Sequence, residues 1–372
     1  MGAFLNSDVM DGVSMLNSIK FENFRGFDNI EFSEMRPITI IGGKNNAGKS
    51  SVLEGLFLAF DHLAFDSFQK INRFRGLPIV NDPRYLWEPL FYNLDTSKPI
   101  TLTFNTDGVT QELSYSRDDS FIPPNDAMLS ADVMNQFVFS AKSAYTLKFN
   151  YTKNDYSEEG HFVIGGNPGV LRNMRTSLEN NLPEPMPPMT FINPIIIRSG
   201  EGMVAEWISR MELQGNKSDI VESLSIMDPP IEDVKVIAAN GLIHIYAKTN
   251  DQLLPLGLVG DGLNKLLFII LSIVESPNSI ILIDEIETGF HYSSYVSIWK
   301  AVAKAAQKYH CQVIATTHSY ECISSALTGI GDENLGEDLC YFRIDRDDTG
   351  CHARRYSDEI LRVAINADME VR

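Results

Sequence analysis

Between the apolar run PITII and the run SVLEGLFLAF stands IGGKNNAGKSS, which reads G-x-x-x-x-G-K-S from Gly43 to Ser50. Strand, loop and helix in that order are the context a phosphate-binding loop requires. Gly43 and Gly48 let the backbone turn tightly, so that successive N–H groups and the N-terminus of the Ser50 helix point at phosphates. Lys49 adds a point charge between the β- and γ-phosphates, and the Ser50 hydroxyl is placed to hold Mg²⁺. The expected ligand is ATP with Mg²⁺.

The second half of the chain supplies matching parts. SIILIDEIETGFH, Ser279 to His291, reads as a buried strand ending in two carboxylates. Asp284 would reach Mg²⁺ and Glu285 would orient or deprotonate the attacking water. CQVIATTHS follows one helix later and presents His318 at a strand end, where it would sense the γ-phosphate. Between loop and acidic strand, Gly260-Asp261-Gly262 opens the apolar helix of LPLGLVGDGLNKLLFIILSI, a second anion-ready N-terminus. Within one chain a second such site is redundant, and a simple helix-capping turn is the plain alternative. Two copies meeting head to tail would use both, each closing the other's loop under Gly260 and Gly262.

Composition bounds the setting. The 372 residues with 44% hydrophobic content suit one large domain or two smaller ones. LLFIIL, Leu266 to Leu271, is the longest apolar run and is far short of a bilayer span. No basic stretch followed by an apolar one opens the chain, and Asn6 stands where a myristoylation signal needs Ser or Thr. Cys311, Cys322, Cys340 and Cys351 lack C-x-x-C spacing, so a reduced, cytoplasmic, soluble chain with no membrane partner is expected. Lys and Arg total 31 against 49 Asp and Glu, a net of −18, which excludes a generally basic surface. Any nucleic-acid contact must be local. The best basic cluster, Lys70, Arg73 and Arg75 in KINRFRG, reads as solvated charge.

Along the chain, residues 1–14 read as a loose tail, and IKFENFRGFDNIEF as a hairpin turning at Arg25-Gly26. Residues 61–98 look irregular. Strands are expected at Ile100–Asn105, near Glu112, at Ala144–Thr152 and through MTFINPIII. Two helical segments follow from Met203 to Met227, then a hairpin turning at Asn240-Gly241. Heptads and internal repeats are missing. Asp345, Asp347 and Asp348 in RIDRDDTG read as a solvated turn rather than a metal cluster.

FENFRGF, GGKNNAGKSS, LGLVGDG, LIDEIETGFH and ATTHS, in that order, resemble the ABC-type ATPases of the OLD and RecF group. The resemblance covers Leu16 to Ser51 and Ile196 to Ala326; residues 61–190 match in layout only. It implies an α/β fold over 15–372: an ABC head with a mixed sheet core, an antiparallel β lobe and a small helical lobe. It assigns nucleotide contacts to Gly43, Asn45, Asn46, Ala47, Gly48, Lys49, Ser50 and Ser51, metal contacts to Ser50 and Asp284, and catalytic roles to Lys49, Glu285 and His318. The trans-acting signature falls on Gly260, Asp261 and Gly262. There are departures. No Ser or Thr lies between Leu253 and Leu271, so backbone amides must serve alone in the signature; Lys265 stands where relatives tend to carry Arg; and no glutamine follows TFINPIIIRSG for a Q-loop. Only about fifty residues follow His318, too few for the Toprim nuclease of OLD proteins. The resemblance therefore implies an ATPase that assembles with itself and controls a separate effector, such as the nuclease of a two-component phage-defence system of the PARIS or Septu kind. A RecF-like DNA-repair clamp is the alternative.

Overall fold

The computed structural model describes residues 15–62, 64, 66–78, 82–121, 145–165, 170–175, 186–227, 229–239, 242–348, 350–367 and 369–371. In chain order the first strands are β1 Leu16–Phe24, β2 Phe27–Phe32, β3 Ile38–Gly43, β4 Ile100–Thr106, β5 Val109–Arg117, β6 Tyr145–Lys153, β7 Tyr156–Gly165 and β8 Val170–Arg175. The rest are β9 Met189–Ile192, β10 Asp233–Ala239, β11 Leu242–Thr249, β12 Gln252–Pro255, β13 Ile280–Ile283, β14 Gln312–Thr316, β15 Leu339–Asp347 and β16 Gly350–Ser357. Three sheets result: a six-stranded core in the order β16-β15-β3-β14-β13-β9, a seven-stranded sheet β2-β1-β4-β5-β6-β7-β8, and a small β10-β11-β12 sheet.

In the core sheet β15, β3, β14, β13 and β9 run parallel and only β16 is antiparallel. Parallel strands are buried on both faces, which is why IILI and QVIAT are unbroken buried runs. Alternate residues still part ways. Ile41, Ile280, Leu282 and Ile314 pack with the helix Lys49–Phe60, while Ile40, Ile281, Ile283, Val313 and Ala315 pack with the helices Asp261–Glu275, Tyr295–Lys308 and Tyr320–Asp332. The seven-stranded antiparallel sheet closes over the other side of Lys49–Phe60 with Phe21, Phe24, Phe27 and Phe32. That helix therefore lies between two sheets, buried from Ser51 to Phe60.

A carboxylate sits inside this sandwich. Glu54 is 2% exposed and holds Arg25 Nε at 3.0 Å and Arg75 Nε at 2.5 Å. Lys70 pairs with Asp61 at 2.9 Å and Asp66 at 3.0 Å. Two of the three cations of KINRFRG are thus engaged with carboxylates of this chain, which corrects their reading as solvated charge. Their segment is also no irregular stretch: Ser67–Phe74 is a helix whose Phe68 and Ile71 face the core, and Pro83–Leu86 is a further short turn of helix. A third correction concerns MTFINPIII. Its strand stops at Ile192, because Asn193 Oδ1 accepts from Ile196 N–H at 2.9 Å and Pro194 occupies the first position of the helix Pro194–Ser199.

Both expected hairpins pair as read. Phe24 faces Phe27 across Arg25-Gly26, and Ala239 faces Leu242. Asn240 and Gly241 lie outside the described residues, as do residues 1–14. The segment 203–227 forms Glu201–Gln214 and Lys217–Leu224. Asp345 belongs to β15 and pairs with Arg343 at 2.6 Å. Among the described residues no helix is long and apolar enough to cross a membrane.

Replacing Glu54 with Gln should leave Arg25, its side chain 10% exposed, without a counter-charge. Loss of about 3 kcal/mol of unfolding free energy is expected, read from urea denaturation. A midpoint equal to wild type would contradict this account of the ion pair.

Candidate functional site

The C-terminal ends of adjacent parallel strands converge at one edge of the core sheet, where ligands bind in open α/β sheets. Residues 44–51 follow β3, Thr316 ends β14 with His318 two residues on, and Asp284 and Glu285 follow β13. Sheet order thus brings together residues more than two hundred positions apart.

At the loop, Gly48 adopts φ 102°, and a Cβ there would meet the Phe27 ring at 2.5 Å. Asn46 is also left-handed, at φ 64°, while Ala47 is buried and its N–H donates to Lys44 O at 3.2 Å. Asn45 and Asn46 are exposed at the loop's crest. No side chain caps the helix that begins at Lys49, and its first turn carries no acidic residue. By helix geometry its first N–H groups have no acceptor within the helix, as an anion site requires. Lys49 Nζ folds back to donate to Gly43 O at 2.8 Å and Lys44 O at 3.0 Å. Burial pushes its pKa down, against the pull of Glu287, Glu285 and Asp284.

Asp284 Oδ1 is the meeting point. Ser50 Oγ donates to it at 3.1 Å and Thr316 Oγ1 at 2.6 Å. Thr316 Oγ1 also accepts from the Glu285 N–H at 2.8 Å. Glu285 is exposed with φ 49°, a backbone region an L-residue keeps only when its surroundings insist. A hydroxyl and a carboxylate oxygen side by side, next to an uncapped helix N-terminus and a lysine, form a donor set that fits Mg²⁺ with a polyphosphate.

His318 stands just past the end of β14 but is turned to Glu287: its N–H and its Nδ1 both lie 2.7 Å from Glu287 Oε1. Glu287 is 6% exposed, and its Oε2 is buried without a partner. It is therefore a partner of His318 rather than a second water-facing carboxylate. Gly260, Asp261 and Gly262 start the helix Asp261–Glu275 and lie against the loop after Glu285. Gly260 has φ 130° with open space where a Cβ would stand, whereas a Cβ on Gly262 would meet Gly289 O at 2.8 Å. Within one chain Asp261 and Gly262 lean on Gly289, after Glu285.

Sequence reasoning missed three residues at this edge. Thr316 lies in ATTHS beside His318, and its place at the strand end was its signal. Arg75 is the second. Its Nη2 reaches Ser51 Oγ at 3.5 Å; burial works against its charge, but the bonds to Glu54 and the nearness of Asp284 raise its pKa. Asn193 ends β9 beside Asp284, where a Q-loop residue would be sought, yet its amide is spent on capping Ile196 and on Phe74 O at 2.8 Å.

The fold is that of an ABC-type ATPase head. It matches an SMC head, solved bound to the C-winged helix domain of ScpA, with a TM-score of 0.50 over 92% of this chain and 97% of that one, at 11% identity. A profile described as "AAA domain, putative AbiEii toxin, Type IV TA system" matches residues 193–324, and one described as "AAA domain" matches 18–164. The chain is similar to an "ATP/GTP phosphatase" of Helicobacter pylori, 25% identical over 93% of this chain and 97% of that protein. It is also similar to the "Uncharacterized protein MJECL10" of Methanocaldococcus jannaschii, 48% identical over 60 residues, 16% of this chain and 27% of that one. The chain is thus similar to AAA- and ABC-type ATPases along most of its length.

Thr316→Val should cost about 1–3 kcal/mol, since it leaves the Glu285 amide and an Asp284 oxygen without their shared hydroxyl. Thr316→Ser should restore most of it. Chemical denaturation of both variants checks this; a Val variant as stable as wild type would remove Thr316 from the site's framework.

Proposed function

We propose that this chain binds and hydrolyses ATP, assembles head to tail with a second copy on ATP, and thereby controls a separate effector. The observation that carries the reading is the meeting of Ser50 and Thr316 on Asp284, with Glu285 beside them and Lys49 resting on the loop carbonyls. Gly43, Asn45, Asn46, Ala47, Gly48, Lys49, Ser50 and Ser51 would surround the phosphates, and Ser50 and Asp284 would hold Mg²⁺. The bound metal would neutralise charge on the β- and γ-phosphates. Lys49 would leave its two carbonyls for phosphate oxygens. Glu285 would orient the attacking water and take its proton. His318, held by Glu287, would contact the γ-phosphate. Gly260, Asp261 and Gly262 would offer backbone amides to the nucleotide of the second copy, the open space beside Gly260 being the room that approach needs.

A nuclease partner in phage defence rests on the resemblance to OLD-like ATPases and on the wording "Type IV TA system" for the profile over 193–324. Differential contacts in the ATP and ADP states are what such control requires. A RecF-like clamp on DNA is less favoured, because Lys70 and Arg75 are engaged by Asp61, Asp66 and Glu54.

Glu285→Gln should keep ATP affinity while slowing turnover by about a hundredfold or more, whereas Lys49→Ala should weaken binding itself. Phosphate release and nucleotide titration separate the two. Wild-type turnover in Glu285→Gln would remove the carboxylate from its role. Gly260→Arg should leave single-chain nucleotide binding intact and block ATP-dependent pairing in sedimentation; unchanged pairing would reduce the Gly260 loop to a helix start.

A further inference from the structure

Lys265 has no part in the chemistry above, yet it is the most heavily buried cation near it. It lies in the second turn of Asp261–Glu275 and is 4% exposed. Its ammonium donates to Glu285 O at 2.5 Å and to Thr288 O at 3.1 Å, and stands 5.7 Å from the centroid of the Phe290 ring. Burial drives its pKa down to about 8, opposed by Glu287, Glu285 and Asp284. An apolar side chain would fill this place without the desolvation cost, so stability alone does not account for a cation here.

What the cation touches points to its use. Glu285 holds φ 49°, and both its N–H and its carbonyl are bonded. Thr316 Oγ1, at the sheet edge, accepts from its N–H, while its carbonyl accepts from the Thr288 N–H at 2.9 Å within the loop and from Lys265, which alone ties it to the helix. Lys265 belongs to the helix that Gly260 opens, and Gly262, three residues earlier, passes so close to Gly289, next after Thr288, that a Cβ on it would stand 2.8 Å from Gly289 O. The helix that would face a second copy and the loop that carries Glu285 are therefore joined at two points.

We infer that Lys265 is a positioning residue that holds the 285–288 loop to the Gly260 helix and so keeps Glu285 in its hydrolytic geometry. This rests on the reading of Glu285 given above. It adds that the geometry of Glu285 depends on the helix at the proposed interface, and not on the sheet alone.

The test compares wild type, Lys265→Met and Lys265→Arg. Hydrogen exchange over residues 284–291 is followed without nucleotide, and kcat and ATP affinity are measured beside it. Lys265→Met should speed exchange over 284–291 and lower kcat about ten- to hundredfold, with ATP affinity within about twofold of wild type. Lys265→Arg keeps the charge and the donors and should recover most of both. Unchanged exchange in Lys265→Met overturns the inference whatever the turnover, and so does faster exchange with wild-type kcat. A wild type that hydrolyses no ATP sinks the reading of Glu285 and with it the catalytic part of this inference, while the exchange data still decide whether Lys265 holds the loop.

Discussion

Everything at this site depends on three neighbouring strands, β3, β14 and β13, ending side by side so that Ser50 and Thr316 reach one oxygen of Asp284. Parallel pairing sets that convergence, because it sends all the C-terminal ends to one edge. The pairing in turn depends on burial of both faces of the sheet, one under Lys49–Phe60 and one under the three helices beginning at Asp261, Tyr295 and Tyr320. The loop geometry is thus a consequence of a fully covered sheet.

A second constraint is electrostatic. Asp284, Glu285 and Glu287 crowd one turn of chain, and Lys49 and Lys265 approach it from opposite elements. Both lysines bind backbone carbonyls, so their charges sit close to the carboxylates while no carboxylate is consumed by an ion pair to them. Asp284 and Glu285 then remain available for ligands. Glu287, buried and bound to His318, is the one removed from that pool.

Much of the fold was legible because its signals are local. The Arg25-Gly26 hairpin, the buried run before Asp284 and the loop at Gly43–Ser50 each announce themselves within a dozen residues. Most of what was misread was decided by distant partners, and one misreading was local. Arg75 looks like surface charge until Glu54, twenty-one residues away, is seen buried beneath it. The strand at Met189 was read too long because Asn193 looks like another strand residue, although the N-cap-Pro pair is a visible helix start. Thr316 and Lys265 act through Glu285 across the sheet and from a neighbouring helix, and no spacing rule along the chain reveals such contacts.

Shared hydrolysis between two copies is the central claim, and the dependence of specific ATPase activity on protein concentration tests it most directly. A site completed by a second copy's Gly260 loop predicts specific activity that rises with concentration and levels off once pairing is complete. Specific activity that stays constant from the lowest concentration upward, in a chain that sediments as a monomer with ATP, would contradict it.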